Sequence, residues 1–116
     1  MPDDTNRSAT AFQEIIRVLE DAVQAGVHSI GLEYEGRDLM VFYNVGSMGL
    51  GASRIPQELR QDVIAELVKR ARPFRQSRGK MRVSLQGKDY EVLVERYESF
   101  GEWNYNLTLK ERKARR

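Results

Sequence analysis

Residues 30–45 read IGLEYEGRDLMVFYNV. Ile30, Leu32 and Tyr34 alternate with Gly31, Glu33 and Glu35, the two-residue period of a half-buried strand. Gly36 and Asp38 flank a tight turn around Arg37. Leu39, Val41, Tyr43 and Val45 then alternate with Met40, Phe42 and Asn44. So short a connection calls for antiparallel pairing. The second run is apolar on both faces, which predicts a central strand covered on both sides.

Working outward toward the start, residues 1–9 read as a disordered leader. Thr10 is a candidate N-cap, with Ser8 competing for the role. Phe12, Ile15, Ile16, Leu19 and Val23 recur at three- and four-residue steps and predict an amphipathic helix, which Gly26 stops. Working outward toward the end, residues 46–54 (GSMGLGASR) read as a Gly-rich connecting loop. Pro56 suits the first turn of a second helix. Leu59, Val63, Leu67 and Ala71 lie four apart, with Ile64 and Val68 beside them, and Pro73 ends this helix. Met81, Val83 and Leu85 lead through a turn at 87–89 to Tyr90, Val92 and Val94. A further turn at Ser99-Phe100-Gly101 precedes a last strand over 102–109, with Trp103, Tyr105, Leu107 and Leu109 on one side.

The expected fold is therefore α+β. It is a mostly antiparallel sheet of about five strands with two main helices, in the order α-β-β-α-β-β-β. The domain spans 10–109 and a basic tail, expected to be disordered, covers 110–116. The expected core holds Phe12, Ile16, Leu19, Ile30, Leu32, Val41, Leu59, Val63, Leu67, Val83, Val92, Val94, Trp103 and Leu107. No internal repeat is visible.

A chain of 116 residues fits one domain. It has no Cys, so no disulfide can form. No apolar run approaches a membrane span. The acidic, polar start MPDDTNRSAT lacks the basic and apolar regions of a signal peptide, so a cytoplasmic protein is expected. The net charge of +2 hides an asymmetry. Residues 1–68 hold 5 Lys/Arg and 11 Asp/Glu, a net of −6, whereas residues 69–116 hold 14 and 6, a net of +8.

Residues that could carry chemistry are sparse. Gly46, Gly49 and Gly51 stand between a strand and a helix, the context of a phosphate cradle, but no Gly-Lys-Ser/Thr follows. His28 is the only histidine and has no second ligand type for company. Glu33 and Glu35 share a strand face, as solvent-facing residues of any strand do. The serines lack a nucleophile-elbow context. With no nucleophile, base or metal cluster, neither an enzyme nor a bound cofactor is expected. The most specific electrostatic feature is 69–82 (KRARPFRQSRGKMR), with seven basic residues and no acid. Phe74 lies within it, and Tyr90, Tyr97 and Trp103 follow. Basic charge interleaved with aromatics suits single-stranded nucleic acid.

Ala25-Gly26-Val27-His28-Ser29-Ile30-Gly31-Leu32-Glu33 resembles the Gly-Ala-Ser-Asp-Ile-His-Ile-Glu segment of type II secretion and type IV pilus assembly ATPases. Val41-Phe42-Tyr43-Asn44-Val45-Gly46 stands where that family has a strand ending in Arg-x-Arg-x-Asp-Gly. The Pro-led helix from Ile55 to Ala71 is similar to the next element. Arg75-Gln76-Ser77-Arg78-Gly79-Lys80 looks like a degenerate form of the basic Gln-Asp-Gly-Arg segment. A hairpin with a central Gly matches Val83 to Val94. The likeness spans roughly 12–109 and rests on order and spacing more than on identities. Ser29, Gly31 and Val45 replace the family's Asp, His and Asp.

In that family this region is the N-terminal domain that precedes the ATPase core. No Walker A sequence, acidic metal-binding box or histidine box is present here. The resemblance therefore implies a free-standing, non-catalytic interaction or regulatory module. Arg72, Arg75, Arg78 and Lys80 would inherit the family's basic positions and meet an acidic protein partner, such as a secretion or pilus component. The alternative is a small RNA- or single-stranded-DNA-binding protein that uses 69–82. Exposed charge pairs hold copies together only weakly, so a monomer without membrane insertion is expected.

Overall fold

A helix, three strands, a second helix and three further strands follow one another along residues 4–113, the span that the computed structural model describes. They are α1 (Asp4–Gln24), β1 (Ser29–Glu35), β2 (Asp38–Val45), β3 (Met48–Arg54), α2 (Arg60–Ala71), β4 (Arg78–Leu85), β5 (Lys88–Ser99) and β6 (Glu102–Glu111). One 3-10 turn, Gln57–Leu59, leads into α2. The six strands form a single antiparallel sheet in the order β3-β2-β1-β6-β5-β4. Each half of the chain contributes three neighbouring strands, and the halves join where β1 pairs with β6, Ile30 opposite Leu107.

The expected α+β class holds, but the sheet has six strands rather than about five. The additional strand is β3, which occupies the stretch read as a Gly-rich loop. Gly46 takes a left-handed φ of 62° in the turn that returns the chain along β2. A register shift beside Val41/Phe42 accommodates one extra residue in β3. Phe42 then stands opposite Gly51, so an aromatic ring covers a position that has no side chain of its own.

α1 is longer than its apolar stripe suggests. It begins by Asp4, so neither Thr10 nor Ser8 caps it, and residues 4–9 are helical rather than a leader. Two polar contacts fix this first part to α2. Arg7 donates to Asp62 at 2.7 and 3.2 Å, and Ser8 Oγ donates to Glu66 Oε1 at 2.5 Å. Residues 1–3 and 114–116 lie outside the described residues, and 110–113 extend β6 and its end instead of belonging to a loose tail. Gly26 ends α1 as expected: at φ 72°, its N–H reaches Val23 O and that of Val27 reaches Ala22 O, the paired bonds of a Schellman motif.

Both helices lie on one face of the sheet. The core joins Ile15, Val18, Leu19 and Ala22 of α1 with Val63, Leu67 and Ala71 of α2 and the inward strand residues, including Ile30, Leu32, Val41, Val83, Val92, Val94 and Leu107. Phe12, Ile16 and Leu59 only flank it, and Trp103 is 47% exposed rather than buried. α1 is rotated toward its small residues, so that Ala11 and Ala22 are fully buried while Phe12 and Ile16 only flank the core. β2 is internal, yet its second face is not covered: Met40, Phe42 and Asn44 remain half-buried on the open side of the sheet. Replacing the buried Val63 by Ala should cost about 1–3 kcal/mol in urea denaturation, and a loss near zero would show that α2 is not packed as described.

Candidate partner-binding surface

The basic run is not one patch. Lys69 and Arg70 belong to α2 and approach Glu66, at 4.0 and 2.6 Å. Arg72 follows the helix as its C-cap, and Arg75 opens a tight turn closed by Arg75 N–H to Arg78 O at 2.7 Å and Arg78 N–H to Arg75 O at 3.0 Å. Both are exposed, and neither has an ion pair among the described residues. Arg78 and Lys80 stand on the open face of β4. There Arg78 Nε lies 3.1 Å from Glu95 and Lys80 Nζ 3.8 Å from Glu91. The fold thus separates the four basic positions singled out in the sequence. It leaves Arg72 and Arg75 uncompensated at one end of the sheet and pairs Arg78 and Lys80 along its edge.

The turn at 75–78 has an unusual backbone. Gln76 and Ser77 both have positive φ, 52° and 64°, where side chains other than Gly and Asn are disfavoured by roughly 1–2 kcal/mol each. The turn is held in place because Arg96 N–H donates to Ser77 O at 3.0 Å. Replacing Ser77 by Gly should therefore raise stability by up to about 1 kcal/mol, read as a higher melting temperature. A decrease would show that the Ser77 side chain makes a contact worth more than the strain.

Beside this turn the chain exposes its largest aromatic group. Arg96 N–H meets Ser77, and the β5–β6 hairpin ends one turn further on at Phe100 and Gly101. Phe100 is fully exposed, Trp103 is half-exposed and Tyr97 is exposed. Tyr97 lies on the open face, where its hydroxyl donates to Glu33 at 3.1 Å. Burial, and then that hydrogen bond, raises its phenol above the usual value. On the helix face the Arg96 guanidinium sits over the Phe74 ring at 4.8 Å and the Trp103 ring at 5.2 Å from their centres. Its Nε is buried without a hydrogen-bond partner, so aromatic π-faces replace the acceptor it lacks. Tyr105 beside it has its phenol raised by burial, a shift the Arg96 charge partly offsets. Between Trp103, Tyr105, Tyr34, Ile64 and Glu102 lies a cleft of about 310 Å³.

Arg, Trp and Tyr are the residues that dominate protein interfaces, because each offers a large, stiff apolar area together with a polar tip. Here Trp103 and Tyr105 line the cleft, Arg96 lies over the Trp103 and Phe74 rings, and Arg72 and Arg75 flank Phe74 in the chain. The sequence reading put Trp103 in the core on the strength of its alternation with Tyr105 and Leu107. That side is indeed the helix face, but Trp103 lies beyond the end of the helices' cover. Phe100 carried a signal: a bulky aromatic at a tight turn, here at φ 53°, has no folding role to justify it. Among the described residues no three His, Cys, Asp or Glu gather closely enough to hold a metal ion, and no helix is long and apolar enough to cross a membrane. No protein-family model and no curated protein matches this chain.

Proposed function

We propose that this chain is a non-catalytic, cytoplasmic protein-interaction module. It engages an acidic partner segment with apolar anchors through the β5–β6 tip and the adjoining Arg72 and Arg75. The observation that carries this reading is the fully exposed Phe100 and the half-exposed Trp103 under Arg96, with Arg72 and Arg75 in no ion pair among the described residues. The likeness to the N-terminal domain of secretion and pilus assembly ATPases supports it: the Pro-led helix, the basic turn and the Gly-centred hairpin occur in that order. On this reading the partner is a component of such an assembly. Single-stranded nucleic acid is the second reading, favoured by the aromatic faces around Arg96. Against it, Glu95 and Glu91 already occupy Arg78 and Lys80, which breaks the basic track that a phosphate backbone would follow.

Trp103 is the only tryptophan, so its fluorescence reports directly on this surface. Titration with ATP and magnesium, or with a single-stranded oligonucleotide at physiological salt, should give no saturable change at micromolar concentration. A photo-cross-linker placed at Phe100 in cells should capture a protein, and Arg75→Glu with Trp103→Ala should abolish that capture. Saturable quenching by the oligonucleotide that weakens steeply with salt, by about one logarithmic unit of slope per phosphate neutralised, would transfer the function to nucleic acid.

A further inference from the structure

The two edges of the sheet are built differently. β4 carries Arg78, Lys80 and Arg82 at alternate positions, the first two paired with Glu95 and Glu91 of its neighbour β5, and a charged side chain at every second residue keeps other strands away. β3 has no charge and no Pro from Met48 to Ser53. Its one charged residue, Arg54, is tied to Asp38 at 3.7 Å. Met48 is 63% exposed, Leu50 46% and the neighbouring Val45 51%. Val45 stands opposite Met48 and Tyr43 opposite Leu50, so these side chains form one apolar stripe on one face of the hairpin. On the other face Gly49 and Gly51 have no side chain of their own, and Asn44 and Phe42 of β2 lie over them from the inner side. An unpaired row of N–H and C=O groups, apolar on one side and with no outward side chain at two positions on the other, is the usual template for strand addition.

We propose that β3 pairs antiparallel with β3 of a second copy about a two-fold axis, joining two six-stranded sheets into one. The occupant follows from the charges. A strand that pairs with itself meets its own sequence reversed. With the axis near Leu50 or Gly51, Arg54 faces the Gly46–Met48 end of the other copy, which bears no cation. Along β4 the same operation would set Lys80 against Lys80 and Arg78 against Arg82. β3 alone is self-compatible, and the pairing brings Met48 and Leu50 of the two copies together across the seam. This departs from the monomer expected from charge alone, because an apolar strand edge does not rely on screened ion pairs. It also sets two acidic halves side by side, each with 5 Lys/Arg against 11 Asp/Glu over residues 1–68. Salt therefore strengthens the dimer by screening their repulsion.

Sedimentation of the full chain at tens of micromolar, in low salt and in half-molar salt, tests this. A dimer is expected that tightens as salt rises. Leu50→Lys, and independently Met48→Lys, should weaken it about a hundredfold or more, since like charges then meet at the seam. Both positions are exposed, so the circular dichroism of each variant should match that of the parent. The chain has no Cys, so single Cys substitutions at 49, 50, 51 and 52 locate the axis. With an added oxidant, one of them should form an intermolecular disulfide in high yield. A monomer in both salts, a dimer that dissociates as salt rises, a dimer indifferent to both Lys variants, or no cross-link at any of the four positions overturns the proposal.

Discussion

Gly79→Ala should be the most damaging single-methyl change in this protein. A Cβ built at Gly79 would stand 2.2 Å from the carbonyl oxygen of Ala71, 3.1 Å from its carbon and 3.2 Å from its Cβ. These are mainly backbone atoms of the last turn of α2, which cannot swing aside as a long side chain would. Either β4 or the helix end must retreat, and both belong to the layer that holds Ala71, Leu67 and Met81 in the core. Overpacking of this kind costs about 3 kcal/mol or more, against a total stability of roughly 5–15 kcal/mol for a domain of this kind. In thermal unfolding the loss should appear as a drop in melting temperature of about ten degrees or more. A variant that melts within two or three degrees of the parent would show that β4 and α2 are not in contact at this point.

The second large effect concerns Glu66, whose side chain is 4% exposed. Burial alone pushes its carboxyl up. The hydrogen bonds from Ser8 and Arg70, with the Arg70 and Lys69 charges, outweigh burial and bring it below the ordinary value of 4.5. Arg70 is also held over the Phe12 ring, 3.5 Å from its centre. The group therefore joins both helices, and its removal leaves Arg70 and Ser8 without their acceptor. Glu66→Ala should cost about 3 kcal/mol at pH 7, the low end for breaking a buried charged pair, because Arg70 reaches solvent. A carboxyl whose value is lower in the folded than in the unfolded chain stabilises fully above its ordinary value, and that contribution is lost as pH falls through the folded value. The stability gap between Glu66→Gln and the parent, measured in urea from pH 7 to pH 3, should therefore narrow below about pH 4.5. A constant gap over that range would contradict the linkage.

Glu66 also shows where the sequence was readable and where it was not. Spacing of Leu59, Val63, Leu67 and Ala71 identified α2 and its inward face, but Glu66 shares that buried side because α1 brings Ser8 to it from 58 positions away. No local pattern encodes such a partner. Strands β1, β2, β4, β5 and β6 announced themselves by alternation, as the two-residue period requires. β3 did not, because Gly49 and Gly51 supply no outward residue and glycine disfavours strands. Two signals pointed to it nonetheless. Gly46-Ser47 between Val45 and Met48 is a two-residue hairpin connection, and a central β2 needs a neighbour on each side. Of the candidate surface, Arg72 and Arg75 were legible as an excess of charge. Their separation from Arg78 and Lys80 was not, because it depends on which acidic residues of β5 stand across the ladder. Trp103 was assigned to its correct face and to the wrong depth, since alternation reports direction and is silent on where helix cover ends.

The join between β1 and β6 sets a schedule for the chain's birth on the ribosome. Asn106 of β6 reaches Ser29 of β1 across 77 positions, and no other strand pairing unites the two three-stranded halves. During synthesis α1, β1, β2 and β3 can assemble early, but β1 keeps one hydrogen-bonding edge vacant until residues 102–111 leave the exit tunnel. Long-range closure of this kind is slow, and an open apolar strand is a hazard for aggregation in the interval. Nascent chains stalled before Glu102 should for that reason depend on holding chaperones. Chains stalled far enough past Glu111 for β6 to clear the tunnel should no longer need them.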